Sequence, residues 1–145
     1  MADAAGDTDI DPALFARLAA DPLAAHLGIT LEQVRPGYAR ASMTVAATHL
    51  NAVGTAHGGG TMALLDVVHA AVSNSHGTVA VAQDVHTEFL SPGAEGDRLV
   101  AEGVELHRSS RTAVYRIEAR AQDGRLVATA LARVFRLGTP WGTGA

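Results

Sequence analysis

Two residue types are missing from the 145-residue chain altogether. The absence of cysteine excludes disulfide frameworks, cysteine nucleophiles and thiolate-held metals, and it suits a reducing compartment. Lysine is also absent, so all 11 basic residues are arginine. Schiff-base chemistry and the phosphate-binding loop that ends in Gly-Lys-Ser/Thr go with it. Aromatics make up only 4 % against 48 % hydrophobic residues, mostly alanine and valine, which predicts a core of small, closely packed side chains. No apolar run approaches the roughly 20 residues that a membrane span needs. The net charge of −4 argues against a nucleic-acid binder, which needs a basic face. The opening MADAAGDTDIDP is acidic and has neither the charged nor the apolar region of a signal peptide. A cytoplasmic protein is expected, with no nucleic-acid and no membrane partner.

At roughly 100–200 residues per domain the chain makes one domain, large enough to bury a core without staples, and it shows no internal repeat. Residues 1–10 and 139–145 are rich in Gly, Ala, Asp and Thr and are expected to fray, leaving a domain over 11–138. Asp11-Pro12 and Asp21-Pro22 each open a short helix, the second ended by Gly28. Ile29–Val34 and Tyr38–Val45 read as strands about the Pro36-Gly37 turn. Gly59–Asn74 is the longest apolar stretch with helical spacing, apolar nearly all round and so expected to be buried. Four β segments follow, Thr78–Leu90, Asp97–His107, Thr112–Ala121 and Arg125–Arg136, broken at Ser91-Pro92-Gly93, Arg108–Arg111 and the hairpin signal Asp123-Gly124. With no crossover helices among them, these strands are expected to form an antiparallel meander. The pattern predicts an α+β fold, an antiparallel sheet wrapped around a long central helix.

Between Ala41 and Gln83 the only Asp, Glu, Lys or Arg is Asp66, in the middle of that helix. A lone carboxylate buried there is costly unless it is paired or has work to do. Its neighbours are small and leave room for a substrate, while an outward position at a subunit seam, or satisfaction by a nearby backbone group or histidine, stays open. Upstream runs Asn51-Ala-Val-Gly-Thr-Ala-His57-Gly58-Gly59-Gly60. Glycines at a helix start let backbone N–H groups approach a ligand at the positive end of the dipole, which makes an oxyanion binder; a side chain at Gly58 is expected to be resisted by a positive φ. The esterase that uses such a glycine loop needs a G-x-S-x-G elbow, and none is present. His57, Asp66, His69 and His76 have no recognised ligand spacing, so no metal is expected.

Asn51-x-x-Gly54-x-x-His57-Gly58-Gly59, an aspartate nine residues after the histidine, and Asn74-Ser75-x-Gly77 together resemble the hotdog-fold acyl-CoA thioesterases, most closely the phenylacetic-acid-degradation type. Leu27-Gly28, Phe89-Leu90-x-Pro92-Gly93, Gly96-Asp97 and Arg111-Thr112 extend the resemblance over roughly residues 22–138. Ser91 and Ser110 depart from it, where arginine and glycine are common. The resemblance implies that Asp66 activates water or attacks the thioester itself, that the Gly58 N–H polarises the carbonyl, that Asn51 places water or carbonyl, and that His57 supports the loop. Gly59, Asn74, Arg108 and Arg111 are the implied contacts to substrate and coenzyme A. It further implies a homodimer or homotetramer, with the aspartate from one chain facing the glycine loop of another. Phenylacetyl-CoA or a ring-hydroxylated derivative is the implied substrate, with no cofactor, since coenzyme A is part of the substrate. The other readings weighed are a non-catalytic acyl-CoA sensor, for whose DNA-binding segment the short N-terminus leaves no room, and a hotdog hydratase or dehydratase, whose histidine sits in a different motif.

Overall fold

The computed structural model describes residues 10–142. In chain order it contains α1 (Pro12–Ala19), α2 (Pro22–Leu27), β1 (Ile29–Arg35), β2 (Tyr38–Thr44), a 3-10 turn at Ala47–His49, α3 (Gly58–Ser73), β3 (Thr78–Phe89), β4 (Arg98–Arg108), β5 (Thr112–Arg120) and β6 (Leu126–Pro140). The two short helices start where the Asp-Pro pairs dictate. The Asp11 carboxylate accepts the Ala13 N–H at 2.7 Å and that of Asp21 accepts the Ala24 N–H at 3.0 Å, each ahead of a proline whose missing N–H costs nothing in a first turn.

All six strands join one antiparallel sheet in the order β1-β2-β4-β5-β6-β3. The expected meander holds for β4-β5-β6 and fails for β3, which pairs with β6 along its length and forms the far edge of the sheet. The connection through Ser91-Pro92-Gly93 is too long for a tight turn, so β4 is free to pair with β2, where Ala39 and Ala41 stand opposite Gly103 and Ala101. These small residues set the closeness of the packing. A Cβ at Gly103 would lie 2.7 Å from Val68 Cγ1, so only glycine lets α3 settle this near the sheet. Ala101, Ala113, Ala119, Ala128 and Ala130 line the same inner face, with Tyr115 as its one large aromatic.

The sheet curls around α3, whose Leu64, Leu65, Val68, Ala71 and Val72 are buried against it. The helix runs antiparallel to β3: the Thr87 hydroxyl donates to Met62 Sδ near one end, and the Ala80 N–H donates to Asn74 Oδ1 at the other. One stripe of α3 is open. Gly59, Asp66 and Ala70 are exposed and Met62 and Ala63 half-buried, and this stripe flanks β3, which is hydrogen-bonded to a neighbour on one side only.

The tail is not loose from residue 139. β6 runs to Pro140, the Trp141 N–H donates to the Gly77 carbonyl at 2.9 Å, and its indole N–H donates to Asn74 Oδ1 at 2.8 Å. Ile10 is buried; the other residues expected to fray, 1–9 and 143–145, lie outside the described residues. Among the described residues no helix is long and apolar enough to cross a membrane.

Candidate active site

The loop before α3 is folded by its own side chains. Asn51 Oδ1 accepts the N–H groups of Val53 and Thr55 at 3.0 and 3.1 Å, and its Nδ2 donates to Thr55 Oγ1 at 2.9 Å. This Asx-type turn closes through Gly54 at φ 84°. The loop is pinned from outside where the Ala56 N–H donates to the Gly93 carbonyl and the His57 N–H to the His49 carbonyl, both at 2.8 Å. His57 then caps α3: its Nδ1 accepts the Gly59 N–H at 2.9 Å, and its carbonyl accepts from Gly60 and Thr61. One first-turn donor is left over. Among the described residues, nothing accepts from the Gly58 N–H.

That N–H sits at a cleft of about 380 Å³ lined by Asn51, Thr55, Gly58, Thr61, Phe89, Leu90 and Val127, among others. Gly58 has no positive φ, contrary to expectation. A side chain there is opposed by space instead, since a Cβ would meet the Phe89 ring at 3.2 Å and that ring would have to shift by a few tenths of an ångström. A larger cavity of about 500 Å³ opens beside α1, and its Glu32 and Arg40 are paired with each other at 2.9 Å.

Asp66 is not buried, as the apolar run had suggested; its side chain is 55 % exposed on the open stripe of α3. Eight residues beyond Gly58, it stands about 12 Å further along the helix at 1.5 Å per residue, outside the cleft. Its titratable neighbour among the described residues is His69, whose Nδ1 lies 3.7 Å from Asp66 Oδ1.

Three implied contacts to substrate are differently employed. Asn74 is buried and saturated: its Oδ1 accepts from Ala80 and Trp141, and its Nδ2 donates to the Ala70 and Ala80 carbonyls. It ties the end of α3 to β3 and the tail, with nothing left to offer coenzyme A. The Gly59 N–H is consumed by the His57 cap. Arg108 pairs with Glu105 at 3.4 Å. Arg108 and Arg111 lie at the β4–β5 hairpin, beside Phe135, which faces Val81 of β3. Phe89 is eight residues along that strand, roughly 27 Å away at about 3.4 Å per residue, so one chain does not bring these arginines to the Gly58 cleft. Of the four polar residues weighed as metal ligands, Asp66 and His69 are neighbours, while His76 is bound to Glu105 at 2.9 Å. Among the described residues no three His, Asp or Glu gather as a ligand set.

The thioesterase superfamily model matches residues 53–128, more than half of the chain. The acyl-coenzyme A thioesterase PaaI of Escherichia coli is 37 % identical over 118 residues, 81 % of this chain and 84 % of that protein. The chain belongs to the thioesterase superfamily. It is a thioester hydrolase with the hotdog fold, of the PaaI-like type. The solved E. coli PaaI structure superposes with a TM-score of 0.84 at 36 % identity, covering 87 % of this chain and 91 % of that one. The TT0310 protein of Thermus thermophilus gives 0.78 at 42 %, covering 81 % and 98 %. A Streptococcus pneumoniae thioesterase solved with coenzyme A gives 0.74 at 28 %, covering 77 % and 88 %.

Of the expected site, a single thioesterase chain therefore gathers Asn51, His57 and Gly58 and leaves Asp66 apart. Sequence reasoning passed over Thr61, which is buried and lines the cleft three residues after Gly58; its helical spacing from Gly58 was the available signal. Phe89 was quoted as part of a motif but given no role, and its place over Gly58 comes only with the folding of β3 along α3.

Proposed function

We propose that this thioesterase hydrolyses aryl-acyl-coenzyme A thioesters, phenylacetyl-CoA or its ring-hydroxylated derivatives, to free acid and coenzyme A. The observation that carries the reading is the Gly58 N–H at the N-terminus of α3, without an acceptor among the described residues and belonging to a residue that lines a cleft of ligand size. A free donor at the positive end of a helix stabilises negative charge growing on a carbonyl oxygen. Asp66 supplies the other half of the reaction. Its carboxylate takes a proton from the water that adds to the carbonyl carbon, or adds there itself; the carbon–sulfur bond breaks and coenzyme A leaves as thiolate, and in the second route water then hydrolyses the acyl–Asp66 anhydride to free acid and the aspartate carboxylate. Either route consumes one water and calls on no metal or cofactor. Coenzyme A bound by the S. pneumoniae relative supports a coenzyme A thioester as substrate, and Phe89 and Leu90 give the aryl group an apolar wall.

Reacting groups must stand within roughly 3–3.5 Å of one another, so Gly58 and Asp66, about 12 Å apart along one helix, cannot serve one carbonyl in one chain. The proposal therefore includes a homodimer, or a homotetramer of such dimers, in which Asp66 of one protomer faces the Gly58 loop of its partner. The open α3 stripe and the free edge of β3 support that arrangement. A cytoplasmic location belongs to the same proposal, on the strength of the cysteine-free composition.

The test is thiol release from a panel of aryl and aliphatic acyl-CoAs. Aryl substrates are expected to lead in kcat/KM, and equal rates across the panel would remove the aryl assignment. Asp66→Asn is expected to lower kcat by about 100- to 10,000-fold with the fold intact, since the side chain is exposed. Asn51→Ala is expected to cost less, because it loosens a loop and leaves the reacting group in place. Near-wild-type turnover by Asp66→Asn would end the mechanism.

A further inference from the structure

One buried titratable side chain on α3 has no task in this mechanism. His69 is 1 % exposed, one turn beyond Asp66, with Nδ1 3.7 Å from Asp66 Oδ1. Its Nε2 is buried with no partner. The ring leans on Tyr115, centroids 5.7 Å apart and planes at 57°. Tyr115 is wholly buried, its hydroxyl donating to Glu105 Oε2 at 3.5 Å, and burial followed by the Glu105 charge pushes that hydroxyl up to about 12. An imidazole with an orphaned nitrogen in such a place costs stability that phenylalanine would not, so packing alone does not account for it.

We infer that His69 is a positioning residue: its neutral, Nδ1-protonated imidazole holds the Asp66 carboxylate in its attacking orientation. The inference rests on the proposed role of Asp66. The surroundings select the tautomer. With the proton on Nδ1, the ring offers Asp66 a donor and leaves only a bare lone pair in the core. With the proton on Nε2, an N–H is buried without an acceptor, the rarer and costlier defect, and a lone pair faces a carboxylate. The imidazolium would bury both that N–H and a charge. The 3.7 Å separation exceeds a formed N–H···O bond by about 0.7 Å. The exposed carboxylate closes this gap, because the ring is wedged against Tyr115 and the aspartate is free to turn. Without the donor, Asp66 samples several rotamers, of which one is productive.

Nitrogen-resolved spectra of the imidazole in the active enzyme are expected to show Nδ1 protonated; a proton on Nε2 overturns the inference. His69→Phe keeps the ring against Tyr115 and removes the donor. Its kcat is expected to fall about 10- to 100-fold with KM changed by less than about two-fold, the pattern of lost alignment. His69→Asn, whose amide nitrogen takes the place of Nδ1, is expected to restore most of that loss. A purely structural histidine gives the opposite order, with Asn the more damaging and the damage seen in the unfolding midpoint while kcat per folded enzyme holds. Full kcat in His69→Phe beside an inactive Asp66→Asn overturns the positioning role and leaves the base intact; turnover by Asp66→Asn overturns the base, and this inference with it.

Discussion

Gly58 shows how much one backbone group decides. Among the described residues its N–H has no acceptor, and the preceding His57, at φ −63° and ψ 133°, already holds the conformation that a following proline demands. Proline is well tolerated at a first helical position because the N–H it lacks is unpaired there. Gly58→Pro is therefore expected to fold and to lose about 100- to 1000-fold in kcat, the scale of a missing oxyanion donor. Gly58→Ala is the control. It places the same Cβ against Phe89, which is 57 % exposed and able to give way, yet it keeps the N–H. Comparable kcat in the two variants would show that the cleft is sensitive to bulk and not to the donor. That Asn51, His57 and Gly58 share one loop was legible in the sequence because the hydrogen bonds of Asn51 and His57 run to residues a few positions away; that the Asn51 amide is spent on folding this loop was not. Asn74 was not, because Ala80 and Trp141, which absorb its amide, are brought to it only by β3 and the end of β6.

At the scale of elements, periodicity located α3 and every strand to within a few residues, since each is a local pattern of apolar side chains. Pairing order was less legible. Which strand flanks β4 is settled by small residues meeting across the sheet, Ala39 with Gly103 and Ala41 with Ala101, and no local window contains both partners. The β3–β4 connection that results passes beside the cleft and is held by Asp97. Its carboxylate accepts from the Ala94 N–H at 2.9 Å, from Gln122 Nε2 at 3.0 Å and from Arg125 at 2.9 Å. The Ala94 N–H, then Gln122 and Arg125, hold this carboxyl below the usual aspartate range. A carboxylate so depressed stabilises the folded state above its unfolded value of about 3.9 and loses that contribution as pH falls through the folded value. Asp97→Asn is expected to cost about 1 kcal/mol at neutral pH, with the gap to wild type closing as the solution is acidified below about pH 4. Urea unfolding of both proteins at several pH values checks this, and a gap that stays constant down to about pH 3 would assign the role of Asp97 to shape and not to charge.

For the whole molecule the question is where the second half of the site comes from. A buried, substrate-facing Asp66 was the sequence's leading suggestion; an exposed one is what the fold provides, because Ala63, Asp66 and Ala70, which helical spacing sets on one side of the apolar run, form a stripe that the sheet leaves uncovered. Ala70, one turn beyond Asp66 on that stripe, is exposed and hydrogen-bonded through its backbone alone. In an isolated chain Ala70→Glu is an ordinary surface change, worth less than about 0.5 kcal/mol. If the stripe seats a second protomer, the same change buries an unpaired carboxylate in the interface, beside its symmetry copy, at a cost of several kcal/mol. Light scattering of wild type is expected to give a dimer or tetramer, and Ala70→Glu a smaller species with an unchanged circular dichroism spectrum. Activity is expected to fall with the assembly, although neither Asp66 nor Gly58 has been touched, and to recover in part as protein concentration is raised and mass action restores the dimer. An Ala70→Glu protein that remains assembled and active, or a wild type active as a monomer, would require Asp66 and Gly58 to act in separate reactions.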